Sequence, residues 1–166
     1  VGNAPPPGLY MVLTGLWFGL VVGFGIWRYA NRSLIAVAIV VATTWFAWEV
    51  AVNLAMQITE NWLKTAGLSV TLVTYIGGFA AGAVGAFLTW GGAAAVAPML
   101  RPLTMAGIVT STGALFGLLL TWTSQFDNPA VLLVPWQSAV AGALGLGLAA
   151  GPAVSGNSGQ WLPRRT

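Results

Sequence analysis

Long apolar runs broken by short polar joints dominate this chain. Five stretches, 9–27, 34–56, 68–90, 103–122 and 130–150, each hold about 20 mostly apolar residues, the length a helix needs to cross hydrocarbon. The joints "RYANRS", "TENWLKTAG", "GGAAAVAPMLRP" and "TSQFDNP" carry the polar, Gly and Pro residues that end helices; "APPPG" precedes the first run and "GPAVSGNSGQWLPRRT" follows the last. The pattern predicts an all-α integral membrane protein, a bundle of about five transmembrane helices. Residues 1–8 form a short tail, 9–150 a single domain and 151–166 a basic tail. The joint at 91–100 is itself apolar, which leaves a loop and a short interfacial or re-entrant piece as alternatives.

Composition points the same way. Of 166 residues 5% are charged and 57% hydrophobic, whereas a soluble domain is about 25% charged. Six basic and three acidic residues are too few for the polar shell of a water-soluble fold. The net charge of +3 would matter for nucleic acid only if clustered, and six scattered cations make no phosphate-binding face, so no nucleic-acid partner is expected. The absence of cysteine and histidine removes disulfides, thiolate chemistry, imidazole ligation, most zinc sites and the commonest general base. No catalytic residue, metal site or cofactor is expected.

The cations set an orientation. With the N-terminus outside, Arg28 and Arg32 follow the first helix, Arg101 follows the third, and Arg164 and Arg165 follow the fifth, all on the cytoplasmic side; only Lys64 lies outside. A sixth span within "GGAAAVAPML" would break this agreement. The first run has no positive segment before it and reads as a retained helix, not a cleaved signal. Trp27, Trp62, Trp90, Trp122 and Trp161, with Tyr10 and Tyr29, fall near the ends of the runs, where amphipathic rings prefer the headgroup level. "ITENWLKTAG" is expected to lie along the outer surface as an amphipathic turn, with Glu60 and Lys64 spaced i,i+4. A few Gly-rich helices joined by arginine-bearing loops is an arrangement similar to that of many small bacterial inner-membrane proteins, and the expected location is a multi-pass place in that membrane.

Apolar side chains gain little by leaving lipid for another helix, so association relies on small residues and polar contacts. Gly15, Gly19 and Gly23 recur every four residues in the first run; Gly78 with Gly82, and Gly77 with Ala81 and Gly85, do so in the third; Gly113 with Gly117 in the fourth; Ser138 with Gly142, and Gly147 with Gly151, in the fifth. These faces serve either packing within the chain or docking to another subunit, or to a second copy, among membrane lipids. The triple stripe of the first run is the expected docking face, because a terminal helix has fewer neighbours in its own chain.

Glu49 is the sharpest chemical feature. It lies in "TTWFAWEVAVNLAM" with Trp45 and Asn53 one turn to either side. Fifteen residues from Leu34, at about 1.5 Å each, place it roughly 22 Å across a core of about 30 Å. Thr14, Thr71, Thr74, Tyr75, Thr121 and Gln137 are expected at similar depth. A charge there costs a few kcal/mol, and no span supplies a cation, so a protonated carboxyl hydrogen-bonded to Thr, Asn or Gln is the expected state. The alternatives are a contact with a partner's cation, or a proton or cation site on a transport path. The hydroxyls of "TSTG", 110–113, are expected to bond back to carbonyls four residues earlier. The glycine runs lack the Lys and Ser/Thr of a phosphate loop, and Asp127 in "FDNP" is an ordinary turn residue. The expected role is a non-catalytic accessory or scaffold subunit of a larger membrane complex; a small transporter or channel component working through Glu49 is the alternative.

Overall fold

The structure, a computed structural model, describes residues 8–30, 32–62, 67–126 and 130–150. The expectations placed on Lys64, Asp127, Trp161, Arg164 and Arg165, and on the rings of Tyr10 and Trp62, fall outside what it describes. The chain is all-helical, with no strand among the described residues. In order come α1 (Gly8–Tyr29), α2 (Leu34–Met56), α3 (Val70–Val96), α4 (Leu103–Gly117), α5 (Leu120–Phe126) and α6 (Ala130–Ala150). Four helical stretches are long and apolar enough to cross a membrane: Leu34–Asn61, Val70–Val96, Leu103–Thr123 and Ala130–Ala150. α1 adds a 22-residue helix beside them.

Serines start two of the helices. Ser33 and Ser69 sit in extended backbone and accept hydrogen bonds from the N–H groups of Ala36 (3.5 Å) and Leu72 (3.3 Å), satisfying donors that a helix start leaves open.

The boundaries depart from expectation in three places, each for a physical reason. α2 does not give way to a turn lying on the surface; it continues as a π-helical segment, Gln57–Trp62, where the Asn61 amide donates to Gln57 Oε1 at 2.7 Å. α3 runs six residues past the expected end at Trp90, to Val96, because Arg101 donates to the Ala94 and Ala95 carbonyls and caps the added turns. The fourth run is broken: at Leu118 and Leu119 the N–H groups bond to Leu115 (3.2 Å) and Phe116 (3.1 Å), three residues back, which tightens the turn and separates α4 from α5.

The helices close a ring. α1 packs on α2, α2 on α3, α3 on α4 and α4 on α6, and α6 returns to touch α1. Phe18, Val22 and Ile26 of α1, Val40 and Trp48 of α2, Ala86 and Ala93 of α3, Val109 of α4 and Trp136, Val140 and Leu144 of α6 fill the centre. Large apolar side chains also point outward all round, among them Trp17, Phe24, Ile35, Phe46, Phe79, Leu115 and Leu146. That surface suits hydrocarbon better than water.

The apolar joint after α3 is neither a loose loop nor a further span. Ala97 and Leu100 are completely buried, and Pro98–Leu100 forms a 3-10 turn. The Trp90 indole N–H donates to the Leu100 carbonyl at 2.7 Å, while Arg101 Nε and Nη2 donate to the Ala94 and Ala95 carbonyls at 3.2 and 3.4 Å. Arg101 thereby caps α3, whose last carbonyls have no partner within the helix. Leu100 Cδ2 and the Met105 methyl meet at Gly147 of α6, so the turn plugs this end of the bundle.

The glycines of the α3–α4 and α1–α2 contacts are of two kinds. Between α3 and α4 they bring backbones together: a Cβ at Gly78 would strike the Gly117 carbonyl, one at Gly82 the Gly113 carbonyl, and one at Gly117 the Gly78 carbonyl. Between α1 and α2 they make notches. A Cβ at Gly15 would lie 2.6 Å from Trp48 Cδ1, one at Gly19 2.9 Å from the Val41 carbonyl oxygen, and one at Gly23 3.1 Å from Val41 Cγ2. Gly85 is closed by Ala51 Cβ at 2.9 Å. The α1 stripe, expected as a docking face, is therefore covered by α2 of the same chain.

Candidate functional site

Glu49 follows Trp48 on α2, and the two side chains point different ways. Trp48 is buried and fills the notch at Gly15, whereas Glu49 lies on the flank of α2, half-buried, with its Oε1 enclosed and without a hydrogen-bond partner. The expected polar cluster does not form around it. The Asn53 amide donates at 2.8 Å to the backbone carbonyl of Glu49, not to its carboxyl group. Trp45 is exposed on the outer surface. Thr71 and Tyr75 face outward, the Thr74 hydroxyl donates to Val70 (2.9 Å), and the buried Thr121 hydroxyl donates to Leu118 (2.6 Å). Gln137 Nε2 is buried on α6 without a partner.

Local back-bonding explains most of these hydroxyls. Thr43 donates to Ile39 (2.9 Å), Thr59 to Ala55 (2.8 Å) and Thr123 to Leu120 (2.7 Å), so each is satisfied within its own helix. Thr110 departs from that expectation, because its hydroxyl is buried and unpaired; Thr44, completely buried, is in the same state.

The centre of the bundle is aromatic. The Trp136 ring stands edge-on to Phe18 at 5.6 Å and 6.2 Å from Trp48, spacings that suit aromatic pairs. Its indole N–H donates at 3.0 Å to the carbonyl of Gly113, where α3 and α4 approach most closely. One side chain of α6 thus reaches α1, α2 and the α3–α4 seam. Neither Trp136 nor Trp48 is among the tryptophans expected at helix ends, Trp27, Trp62, Trp90, Trp122 and Trp161. Trp136 stands at the seventh residue of its helix, about 10 Å from its start, too deep for a headgroup anchor. Trp90, expected as an anchor, holds the plugging turn through its indole N–H.

Above this floor the bundle is hollow. Between Trp48 and Trp136 and the end of the bundle remote from Arg28, Arg32 and Arg101 lies a cavity of about 290 Å³, walled by α2, α3, α4, α5 and α6. Its sides are small or aliphatic, and Thr123 carries the one hydroxyl among the lining residues. Glu49 is not part of its wall. A second hollow, a shallow groove on the outside of α2 and α3, lies between Thr43, Phe46, Phe87 and Gly91.

Two small-residue faces remain open. On α6, Ser138, Gly142, Gly145 and Ala149 all point outward, and a Cβ at Gly142 or Gly145 would meet nothing within 4 Å. Gly107 on α4 is equally free, with Ser111 exposed one turn on. Among the described residues no group of three or more metal-ligating acidic side chains occurs. The arginines Arg28, Arg32 and Arg101 gather at one end of the bundle, with the Arg28 guanidinium 5.2 Å above the Tyr29 ring. No family model, no curated protein and no solved structure matches the chain.

Proposed function

We propose that this chain is a non-catalytic subunit of a larger complex in the inner membrane of a bacterium, acting through helix-to-helix contact in the bilayer. Five spans, α1 among them, would place the N-terminus outside, with the arginine-bearing end in the cytoplasm. The gathering of Arg28, Arg32 and Arg101 at one end supports that orientation.

The observation that carries the reading is the outward stripe of α6. Ser138, Gly142 and Gly145 form a flat strip beside the bulky Leu146, where another helix could approach closely. Close backbone approach through small residues is a principal means of helix association in lipid. The glycines of α1 and of the α3–α4 seam already have partners inside the chain, which leaves α6 as the better docking face.

The test is a native-membrane purification in mild detergent, followed by identification of what accompanies the chain at fixed stoichiometry. Gly142→Leu/Gly145→Leu is expected to lose that partner, whether another protein or a second copy, while leaving the chain folded. A chain that purifies alone, with or without the substitutions, overturns the proposal.

A transport role through Glu49 is the second reading, favoured by its enclosed and unpaired carboxyl oxygen. Among the described residues no polar side chain hydrogen-bonds to the Glu49 carboxyl oxygen Oε1, whereas a path for protons or ions needs several converging groups. Proton flux into vesicles that hold the purified chain, abolished by Glu49→Gln, would move this reading to the front.

A further inference from the structure

We infer that the cavity above Trp48 and Trp136 is a binding site for one hydrocarbon chain of a membrane lipid, inserted tail first from the leaflet remote from the arginines. The inference is separate from the docking role of α6 and rests only on the helices lying in a bilayer.

Three observations carry it. The first is the wall. Ala51 and Ala55 of α2, Gly78, Ala81 and Gly82 of α3 and Gly117 of α4 line one side, so the walls offer smooth backbone and methyl groups without side chains long enough to fill the space. The glycines cannot be larger, since those same positions bring α3 and α4 into backbone contact. The hollow is thus a consequence of the seam.

The second is the absence of polar partners for water. A buried water needs two to four hydrogen bonds. The Thr123 hydroxyl donates to Leu120 at 2.7 Å and the Trp136 indole donates to Gly113, so these groups of the wall are already satisfied. Apolar cavities of about 150 Å³ stay dry and admit benzene; this one has about 290 Å³. Left empty, its lining would forgo dispersion contacts on one side.

The third is place. Trp48 lies about 21 Å along α2 from Leu34 and Met56 about 33 Å, so in a core of about 30 Å the hollow extends from roughly two-thirds of the way across to the far interface. The fluid beside the bundle at that depth is alkyl chain, and the cavity is open. An alkyl chain matches both the chemistry of the wall and the molecules at its door.

The experiment uses the full chain in phosphatidylcholine vesicles whose acyl chains carry bromine at mid-chain, because bromine quenches an indole it touches. Subtracting the signal of Trp48→Phe/Trp136→Phe isolates the two floor residues from the other tryptophans. In the unsubstituted protein these two are expected to be quenched. Filling the hollow with Ala55→Leu, or from the opposite wall with Leu133→Phe, is expected to lower their quenching at least about two-fold. Leu133→Ala, which enlarges the hollow, is expected to raise it and serves where a filling variant does not fold. Floor tryptophans that brominated chains do not quench, or quench equally in filled and unfilled proteins, overturn the inference. So does their quenching by aqueous acrylamide, which would mean that the cavity holds water.

Discussion

The glycine pairs of the α3–α4 seam and the Ser138–Gly142 pair on the outer face of α6 share a four-residue spacing, yet do opposite things. Gly78, Gly82, Gly113 and Gly117 are locked carbonyl against glycine, with Ala86 Cβ at Gly113 and Leu120 Cβ at Gly78 closing the same contact. A Cβ at Gly142 or Gly145 would meet no other part of the described chain within 4 Å. The α1 stripe is intermediate, a row of notches filled mostly by side chains of α2. Spacing reports that a helix has a flat face; only the register of the neighbouring helices decides whether that face is used inside the chain or left open.

Substitutions at these sites should fall on a graded scale. Gly82→Leu is expected to have the largest effect, an almost complete loss of folded protein, since a branched side chain would have to displace the Gly113 carbonyl; yield and helicity after purification in detergent check this. Trp136→Ala comes next, at about 3–5 kcal/mol for a large aromatic removed from a core. Trp136→Phe should cost about 1 kcal/mol, mainly its hydrogen bond to Gly113, because polar contacts between membrane helices average below that. Denaturant titration in mixed micelles separates the two.

Within the α1 stripe, Gly19→Ala should cost about 1–3 kcal/mol, the range for overpacking a tight contact, and more than Gly23→Ala. Position 19 faces the Val41 carbonyl, which is fixed in its helix, whereas position 23 faces valine methyl groups that can turn away. Equal losses at the two sites would mean that the notches are looser than their geometry implies. Gly142→Leu should have the smallest effect on stability, within about 0.5 kcal/mol, as for an exposed site. A large loss there in the isolated chain would show that the open face is buried by a second copy.

The fold class was legible because bilayer crossing imposes a crude rule, about 20 apolar residues in a row, and the chain obeys it openly. α2 and α6 coincide with the apolar runs at 34–56 and 130–150. The end of α3 was not legible, because "GGAAAV" is as compatible with an apolar joint as with a helix; what extends it is the cap supplied by Arg101 and the buried Leu100, contacts made across the fold. Glu49 drew attention as a carboxyl group among apolar neighbours, and hydropathy gives depth but not direction. A rotation of about 100° per residue separates it from Trp48, enough to put one side chain in the centre and the other on a flank. Trp136 was overlooked for a similar reason: a tryptophan in an apolar run looks the same to a hydropathy scale whether it anchors at an interface or joins three helices.

The plug at Pro98–Leu100 and the hollow opposite it make the bundle mechanically lopsided. A close-packed layer yields little when squeezed, whereas a layer that encloses free volume can give it up. In a bilayer, sideways pressure would therefore meet a stiff collar at the arginine end, where Leu100 and Met105 press against Gly147 of α6, and a more compliant layer at the other. Pushing α2, α5 and α6 together would therefore first have to expel whatever fills the hollow, while the collar at the other end would stay as it is.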